Sequence, residues 1–399
     1  MASTYNWLPI SPTRRMSNPS PSYSRTNPFL APISERYHLS RPGSRKETQH
    51  LVIKLTGSGL NYKVGDSLAI YPKHDPQIVA KILKTIGASR DEPIIDARTK
   101  ESFSLFDYLS EKVNISRVSK KLLTALHDKY PCGTKKDELA RLIDAEGREL
   151  LKAYGETHEL WDTLAGYSGA KIEPQELCSL LSPLLPRFYS IASSQKTVGE
   201  EAHLTVAVTE YMTNGHLRHG VASHYLCHLA KVQERLPVYL QPAADFTVPE
   251  DHARSIIMVG PGTGIASFRA FMQEREATGA IGKNWLFFGE WTRADEFYYE
   301  DYWKALVDAG KLKLDLAFSR DQAEKVYVQH KMLSSGAELW KWLEEGASFF
   351  VCGDADHMAK DVDAALHHII KEHGALSDDA AKAHVKQLRT EKRYLRDVY

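Results

Sequence analysis

An antiparallel β domain, split by a long helical insertion and followed by a parallel α/β domain, is the fold class this sequence predicts. Three observations predict it. The segment HLTVAVTEY, residues 203–211, alternates cleanly, with Leu204, Val206 and Val208 facing one way and Thr205, Ala207 and Thr209 the other. Such alternation marks an antiparallel strand with one buried face. Residues 76–178 are mostly helical in pattern, so they interrupt a β region that begins before them and resumes after them. Beyond Arg254 the apolar runs SIIMV, NWLFF, LKLDLAF and SFFVC alternate with helical segments, as in a parallel sheet covered on both faces.

Taken in order, the first 34 residues lack Asp and Glu and carry Arg14, Arg15 and Arg25 among many Ser and Pro. An acid-free, Arg-rich start resembles an organelle transit peptide, but Pro9, Pro12, Pro19, Pro21, Pro28 and Pro32 oppose the amphipathic helix such a peptide needs. Residues 1–32 are therefore expected to be an extended tail or linker. The β pattern starts with HLVIKL and YKVGDSLAIYP, joined by short turns such as Gly65-Asp66, and residues 33–75 are assigned to the first part of the β domain. Asp75-Pro76 then opens a helix, with Asp as N-cap, Pro in the first turn and an apolar stripe of Ile78, Val79, Ile82, Leu83 and Ile86 before Gly87. The rest of the insertion, 76–178, holds no clustered catalytic groups and reads as packing or spacer. The β domain resumes over 179–252, and 253–399 form the α/β domain.

Composition narrows the function. The chain has 399 residues, 26% of them charged, with 51 basic and 51 acidic side chains. A net charge of zero argues against a general nucleic-acid binder. No apolar run approaches the roughly 20 residues that span a bilayer, and a cytoplasmic location without membrane partners is expected. Cys132, Cys178, Cys227 and Cys352 lie far apart with no paired spacing, and the 17 histidines form no ligand constellation. No metal site is expected, and the cysteine usage fits a reducing compartment.

Four motifs carry chemistry. PRFYSIASS, residues 186–194, sets Arg187, Tyr189 and Ser190 at the start of a strand. That grouping is either the accident of a half-buried strand or the grip on a ligand with a diphosphate, a flat ring and a hydrogen-bonding nitrogen. GPGTGIASF, 260–268, follows a buried strand and leads into a helix, so Gly260, Gly262 and Gly264 can admit a diphosphate to free N–H groups. It departs from G-x-G-x-x-G, with Ile265 at the last glycine. Ser319-Arg320, then Lys325, Tyr327 and Gln329, stand where an NAD enzyme often has an acid for the ribose. Hydroxyl and cations there suit a 2′-phosphate, although Asp321 and Glu324 keep a solvated basic patch as the alternative. Cys352-Gly353-Asp354 closes the last apolar run. A lone Cys there is a small core residue or a neighbour of a reacting ring. The last three of these motifs, with Gly289 after NWLFF, lie at strand carboxyl ends, where open α/β sheets bind ligands.

Together, PRFYSIASS, GVAS (220–223), GPGTGIASFRAFMQER, SRDQAEKVYVQ, FVCGD and the terminal RYLRDVY resemble the ferredoxin–NADP reductase module of the diflavin reductases. The likeness is closest to the flavoprotein component of NADPH–sulfite reductase and runs from about residue 33 to the end. It implies an FAD-binding β-barrel, a helical connecting insertion and an NADP-binding α/β domain, with FAD and NADPH as cofactors. It implies that Arg187 neutralises the FAD diphosphate, Tyr189 packs on the flavin and Ser190 hydrogen-bonds near flavin N5. Thr205 and Ala207 are implied to line the flavin, and Tyr211 to contact the adenine side. Gly220, Val221, Ala222 and Ser223 are implied to offer backbone N–H groups to the diphosphate. Thr263, Ser319, Arg320, Lys325, Tyr327 and Gln329, with Asp354, are implied to hold NADPH. Ser190, Cys352 and Asp397 are implied to gather at the hydride path, with Tyr399 over the flavin.

Two departures stand out. Ser267 occupies a position where the family usually has Pro, and the FMN-binding flavodoxin domain of full-length members is not expected in this chain. The implied function is NADPH-dependent reduction of FAD and electron delivery to a separate acceptor protein, the haem subunit of assimilatory sulfite reductase. Reduction of ferredoxin or flavodoxin by a free-standing enzyme is one alternative, and a catalytically idle NADPH-sensing or scaffold subunit is the other.

Overall fold

The computed structural model of the chain describes residues 23–399, and most of the expected tail lies outside the described residues. Three strands precede the insertion: β1 (Phe29–His38), β2 (Thr48–Lys54) and β3 (Ser67–Ile70). A short hairpin, β4 (Pro93–Ile95) and β5 (Ser102–Ser104), lies inside it. After it come β6 (Arg187–Ser190), β7 (Glu201–Ala207), the hairpin of β8 (Glu210–Thr213) and β9 (His216–His219), and β10 (Arg235–Gln241). Strand β1 starts inside the stretch expected as tail, because Phe29–Pro32 pair with Val238–Arg235 of β10.

Six strands form a sheet in the order β6-β3-β10-β1-β2-β7. Its two edges meet: Ile191, just past β6, bridges Leu204 of β7, and the Ala192 N–H donates to the His203 carbonyl at 2.7 Å. The sheet thereby closes into a barrel around Ile33, Leu51, Ile53, Leu68, Leu204 and Leu236. Gly65 turns the chain into β3 with φ +101°, and an added Cβ would sit 1.6 Å from the Phe246 carbonyl oxygen. Only glycine satisfies both demands.

The insertion opens with the helix Pro76–Ile86. The Asp75 carboxylate accepts from the Gln77 N–H, and Gly87 caps the other end at φ +69°. Six further helices follow, from Leu105–Glu111 to Pro174–Leu180, and share a separate core that includes Val79, Ile82, Leu109, Leu126 and Leu177. The β8–β9 hairpin is tied to this block by Arg218, 3% exposed, whose guanidinium donates to both Asp162 oxygens at 2.6 and 2.7 Å.

The α/β domain contains β11 (Ile256–Val259), β12 (Asn284–Glu290), β13 (Lys313–Phe318), β14 (Ser348–Gly353) and β15 (Tyr394–Val398). They run parallel in the order β13-β12-β11-β14-β15. The side-chain period of two divides each central strand between two cores. Ile257, Val259, Trp285, Phe287, Phe349 and Val351 face one helical layer. Met258, Leu286, Phe288, Phe350 and Cys352 face the other.

A seam of polar contacts joins barrel to α/β domain. Arg41 pairs with Glu300 at 2.7 Å, Thr48 Oγ1 meets Tyr298 OH at 2.9 Å, and His50 Nδ1 meets Tyr299 OH at 2.8 Å. This seam sets the ends of β6, β14 and β15 side by side.

Candidate active site

The register of β14 on β15 places Cys352 opposite Asp397 and Gly353 opposite Val398. From the barrel, Ser190 ends β6 and its hydroxyl donates to Asp397 Oδ2 at 3.0 Å. Cys352 Sγ lies 3.9 Å from the same oxygen and 3.6 Å from Ser267 Oγ. Three residues far apart in the chain, from both domains, thus converge. Burial raises the Asp397 carboxyl above its ordinary range, and the Ser190 hydrogen bond only partly offsets this. Burial and then the Asp397 charge push the Cys352 thiol up strongly, so it stays a neutral thiol.

The glycine-rich turn runs beneath this group. Gly264 lies so close to β14 that an added Cβ would be 2.1 Å from the Cys352 carbonyl oxygen, so its role is close packing of helix on strand. At Gly260 a Cβ would meet the Phe268 ring at 2.5 Å, whereas Gly262 has φ +60° and lines open space. Thr263 Oγ1 is bonded to Tyr399 OH at 2.8 Å. The backbone of Tyr399 is anchored on both sides, donating to the Gly353 carbonyl at 3.1 Å and accepting from the Ala355 N–H at 3.2 Å. Its side chain stays outside the core, and the residue is 63% exposed.

Beside the turn opens a cavity of about 590 Å³. Gly262, Ser319, Arg320, Lys325, Tyr327, Gln329 and Asp354 all line it. Arg320 lies flat on Trp291, its Cζ 3.3 Å from the ring centroid, and Gln329 donates to Asp361 at 3.1 Å. Neither Arg320 nor Lys325 forms an ion pair among the described residues. Asp354 caps the helix Met358–His373, accepting from the His357 and Met358 N–H groups at 2.8 and 2.9 Å. Those two hydrogen bonds, Met358 first, hold its pKa below the ordinary value.

The barrel side collects the remaining candidates less tightly. Arg187 is exposed and makes no ion pair among the described residues, while Tyr189 is half-buried beside it. Burial raises the Tyr189 phenol. Gly220, Val221, Ala222 and Ser223 open a short helix. Ser223 Oγ accepts from the Thr209 N–H at 3.1 Å, and a Cβ on Gly220 would meet Thr209 at 2.8 Å, so this turn is tightly built. Thr205 is committed to Tyr299 OH at 2.7 Å, Ala207 is exposed at the end of β7, and Tyr211 donates to Glu159 of the insertion at 2.8 Å. The hydroxyls of Thr205 and Tyr211 thus have protein partners.

Several functional-looking residues escape sequence reasoning. Lys46, Glu290 and Trp291 line the same cavity. Glu290 and Trp291 follow Gly289, whose place at a strand end was the available signal, but Lys46 sits in an irregular polar loop with no pattern. Among the described residues no group of three or more His, Cys, Asp and Glu could hold a metal, and no helix is long and apolar enough to cross a membrane.

The donor sets suit the two expected cofactors. Unpaired guanidinium and ammonium groups fit phosphates, and the glycines at 220 and 264 shape their tight turns, their own N–H groups donating to the Thr209 and Pro261 carbonyls at 2.8 and 3.1 Å. Comparisons with known proteins agree. Residues 21–225 match the family described as FAD binding domain, and 258–364 match the oxidoreductase NAD-binding domain. The sulfite reductase (NADPH) flavoprotein alpha-component of Bacillus subtilis is 42% identical over 379 residues, covering 95% of this chain and 62% of the relative. That of Aliivibrio fischeri is 41% identical over 379 residues, covering 94% and 61%. That of Zymomonas mobilis is 40% identical over 392 residues, covering 98% and 63%. The chain thus spans about three-fifths of the length of these relatives. With a closed FAD-type barrel and a parallel nucleotide-binding sheet joined at one seam, the chain belongs to the FAD-binding-domain family and is an oxidoreductase module for FAD and NADPH.

Proposed function

We propose that this chain takes electrons from NADPH onto FAD and delivers them to a separate acceptor protein, the haem subunit of a sulfite reductase. One observation carries the reading: Ser190 of the barrel donates to Asp397 of the α/β domain at 3.0 Å, beside the buried Cys352, at the one seam both cofactors must share. The relatives named above are sulfite reductase flavoproteins, which favours a haem acceptor over ferredoxin or flavodoxin. Residues 33–75, extended back to Phe29 where β1 begins, and 179–252 would form the FAD domain, 76–178 its connecting insertion and 253–399 the NADP domain.

When bound, FAD accepts two electrons at once from NADPH and releases them singly, which suits one-electron acceptors. The chain's own groups would do the following. Arg187 and the N–H groups of Val221, Ala222 and Ser223 would neutralise a diphosphate, with Gly220, whose own N–H donates to the Thr209 carbonyl at 2.8 Å, shaping the turn, while Tyr189 offers a ring face. Thr205 and Ala207 would line the flavin through strand β7, and Tyr211, held by Glu159, would border the adenine side. Ser319, Arg320, Lys325, Tyr327 and Gln329 would grip the nucleotide, with Thr263 and Asp354 at its edges. Asp397, held by Ser190, keeps a negative charge near the reacting atoms, and neutral Cys352 fills the adjacent space without adding another. Tyr399 would cover the flavin until nicotinamide displaces it.

The test is reconstitution. FAD-loaded protein, excess NADPH and purified sulfite reductase haem subunit should together give the reduced haem spectrum. If the flavin is reduced but the haem stays oxidised, with ferredoxin or flavodoxin reduced instead, the acceptor assignment fails.

A further inference from the structure

The cavity that holds the nucleotide-gripping residues also contains a carboxylate. Glu290, 9% exposed at the end of β12, lies against the glycine-rich turn: a Cβ on Gly262 would be 3.5 Å from its Oε1. Its Oε2 accepts from the Trp291 N–H at 2.8 Å, and the Tyr298 hydroxyl points at Oε1 from 3.4 Å. A buried negative charge beside a phosphate-binding turn opposes the anion that the turn is shaped to receive.

The compensating charge comes from the other domain. Lys46, in the loop between β1 and β2, reaches across the seam and donates to both Glu290 oxygens, at 3.1 and 2.8 Å. Its Nζ also lies 4.3 Å from the centroid of Trp291, the ring on which Arg320 rests. The loop is fixed for this reach: Ser44 Oγ donates to Glu296 at 2.5 Å, and the Arg41 N–H donates to the Asp295 carbonyl at 2.8 Å. The anchored loop therefore keeps Lys46 within reach of Glu290.

We propose that Lys46 is a positioning residue for the nucleotide, supplied by the barrel domain: it neutralises Glu290, so that the phosphate groups do not meet an uncompensated carboxylate beside the turn. The inference rests on the nucleotide reading of this cavity and adds two residues to it. It also couples the two domains, since loosening the seam withdraws Lys46 and leaves the carboxylate bare. Breaking a buried pair by removing one partner is strongly unfavourable, whereas removing both can be nearly neutral. That asymmetry makes the inference testable by a double-mutant cycle.

The experiment measures NADP⁺ and NAD⁺ binding to the FAD-loaded protein by calorimetry. Lys46→Met should weaken NADP⁺ by about tenfold or more, because an uncompensated carboxylate is left beside the turn. Lys46→Met combined with Glu290→Gln should restore affinity to within about threefold of wild type, since no charge then remains to be compensated. NAD⁺ should follow the same order, as the diphosphate it shares with NADP⁺ feels the same carboxylate. A Lys46→Met protein that binds like wild type, or a double variant no better than Lys46→Met, overturns the inference. Circular dichroism and flavin content of each variant identify any that fail to fold, and Glu290→Gln alone, which must then bind at least as well as wild type, decides such a case. If wild type itself binds neither nucleotide, it is the nucleotide reading that fails.

Discussion

Arg320 combines planar stacking on Trp291 at 3.3 Å, which lysine could not reproduce, with a charge left free in the cavity. Stacking fixes the guanidinium plane before any ligand arrives, so little rotamer freedom is lost on binding. A charge-assisted contact of this type is worth roughly 1.5–3 kcal/mol. Arg320→Ala should therefore weaken NADPH use by about tenfold or more and leave NADH nearly unchanged, as steady-state kinetics with both nucleotides will report. Equal losses would show a purely structural role. Asp397 gives a second residue-level expectation. Its pKa is raised by burial, so its charge is lost on acidification at a pH above the ordinary aspartate range. Turnover should fall along that limb, and Asp397→Asn should be slow at every pH with the limb abolished. The folded state holds this proton more tightly than the unfolded chain does. The group's contribution to stability therefore declines as pH rises from the ordinary to the raised value, and Asn removes that loss. A pH–rate profile of Asp397→Asn that retains the wild-type acid limb would assign it to another group.

Among the elements, β15 decides most about the site and was the least visible. RYLRDVY has one buried aromatic and mixed polar residues, with no apolar run to announce a strand, yet as the edge strand on β14 it delivers both Asp397 and Tyr399. The three central strands, β11, β12 and β14, were legible because burial on both faces demands unbroken apolar runs, and the edge strand β13 was legible from the alternation of LKLDLAF. The hairpin β4–β5 was illegible for the opposite reason, since three-residue strands carry too little pattern. Ser190, Cys352 and Asp397 were named from resemblance, and what sequence could not provide was their meeting, which depends on register and seam. Tyr399 lies at the end of β15 with its hydroxyl tied to Thr263. Ring stacking of about 0.5–1.5 kcal/mol makes it an even competitor for a nicotinamide. Tyr399→Ala should shrink the preference for NADPH over NADH and shift the flavin absorbance bands. Unchanged spectra with unchanged preference would mean that Tyr399 does not gate the site.

For the whole molecule, the proposed reading implies that neither domain would hold a complete site. The barrel supplies Arg187, Tyr189, Ser190 and Lys46, and the α/β domain supplies Cys352, Asp397, Tyr399 and the nucleotide cavity. The seam contacts of Arg41, Thr48, His50 and Thr205 hold the two halves in one geometry. On that reading, electron transfer from nucleotide to flavin would require the docked molecule. The most direct measurement is anaerobic titration of the purified, FAD-loaded 399-residue chain with NADPH, following the flavin absorbance bands. The expected result is one FAD per chain, bleached by one equivalent of NADPH. A protein that retains FAD but stays oxidised under excess NADPH would contradict the account.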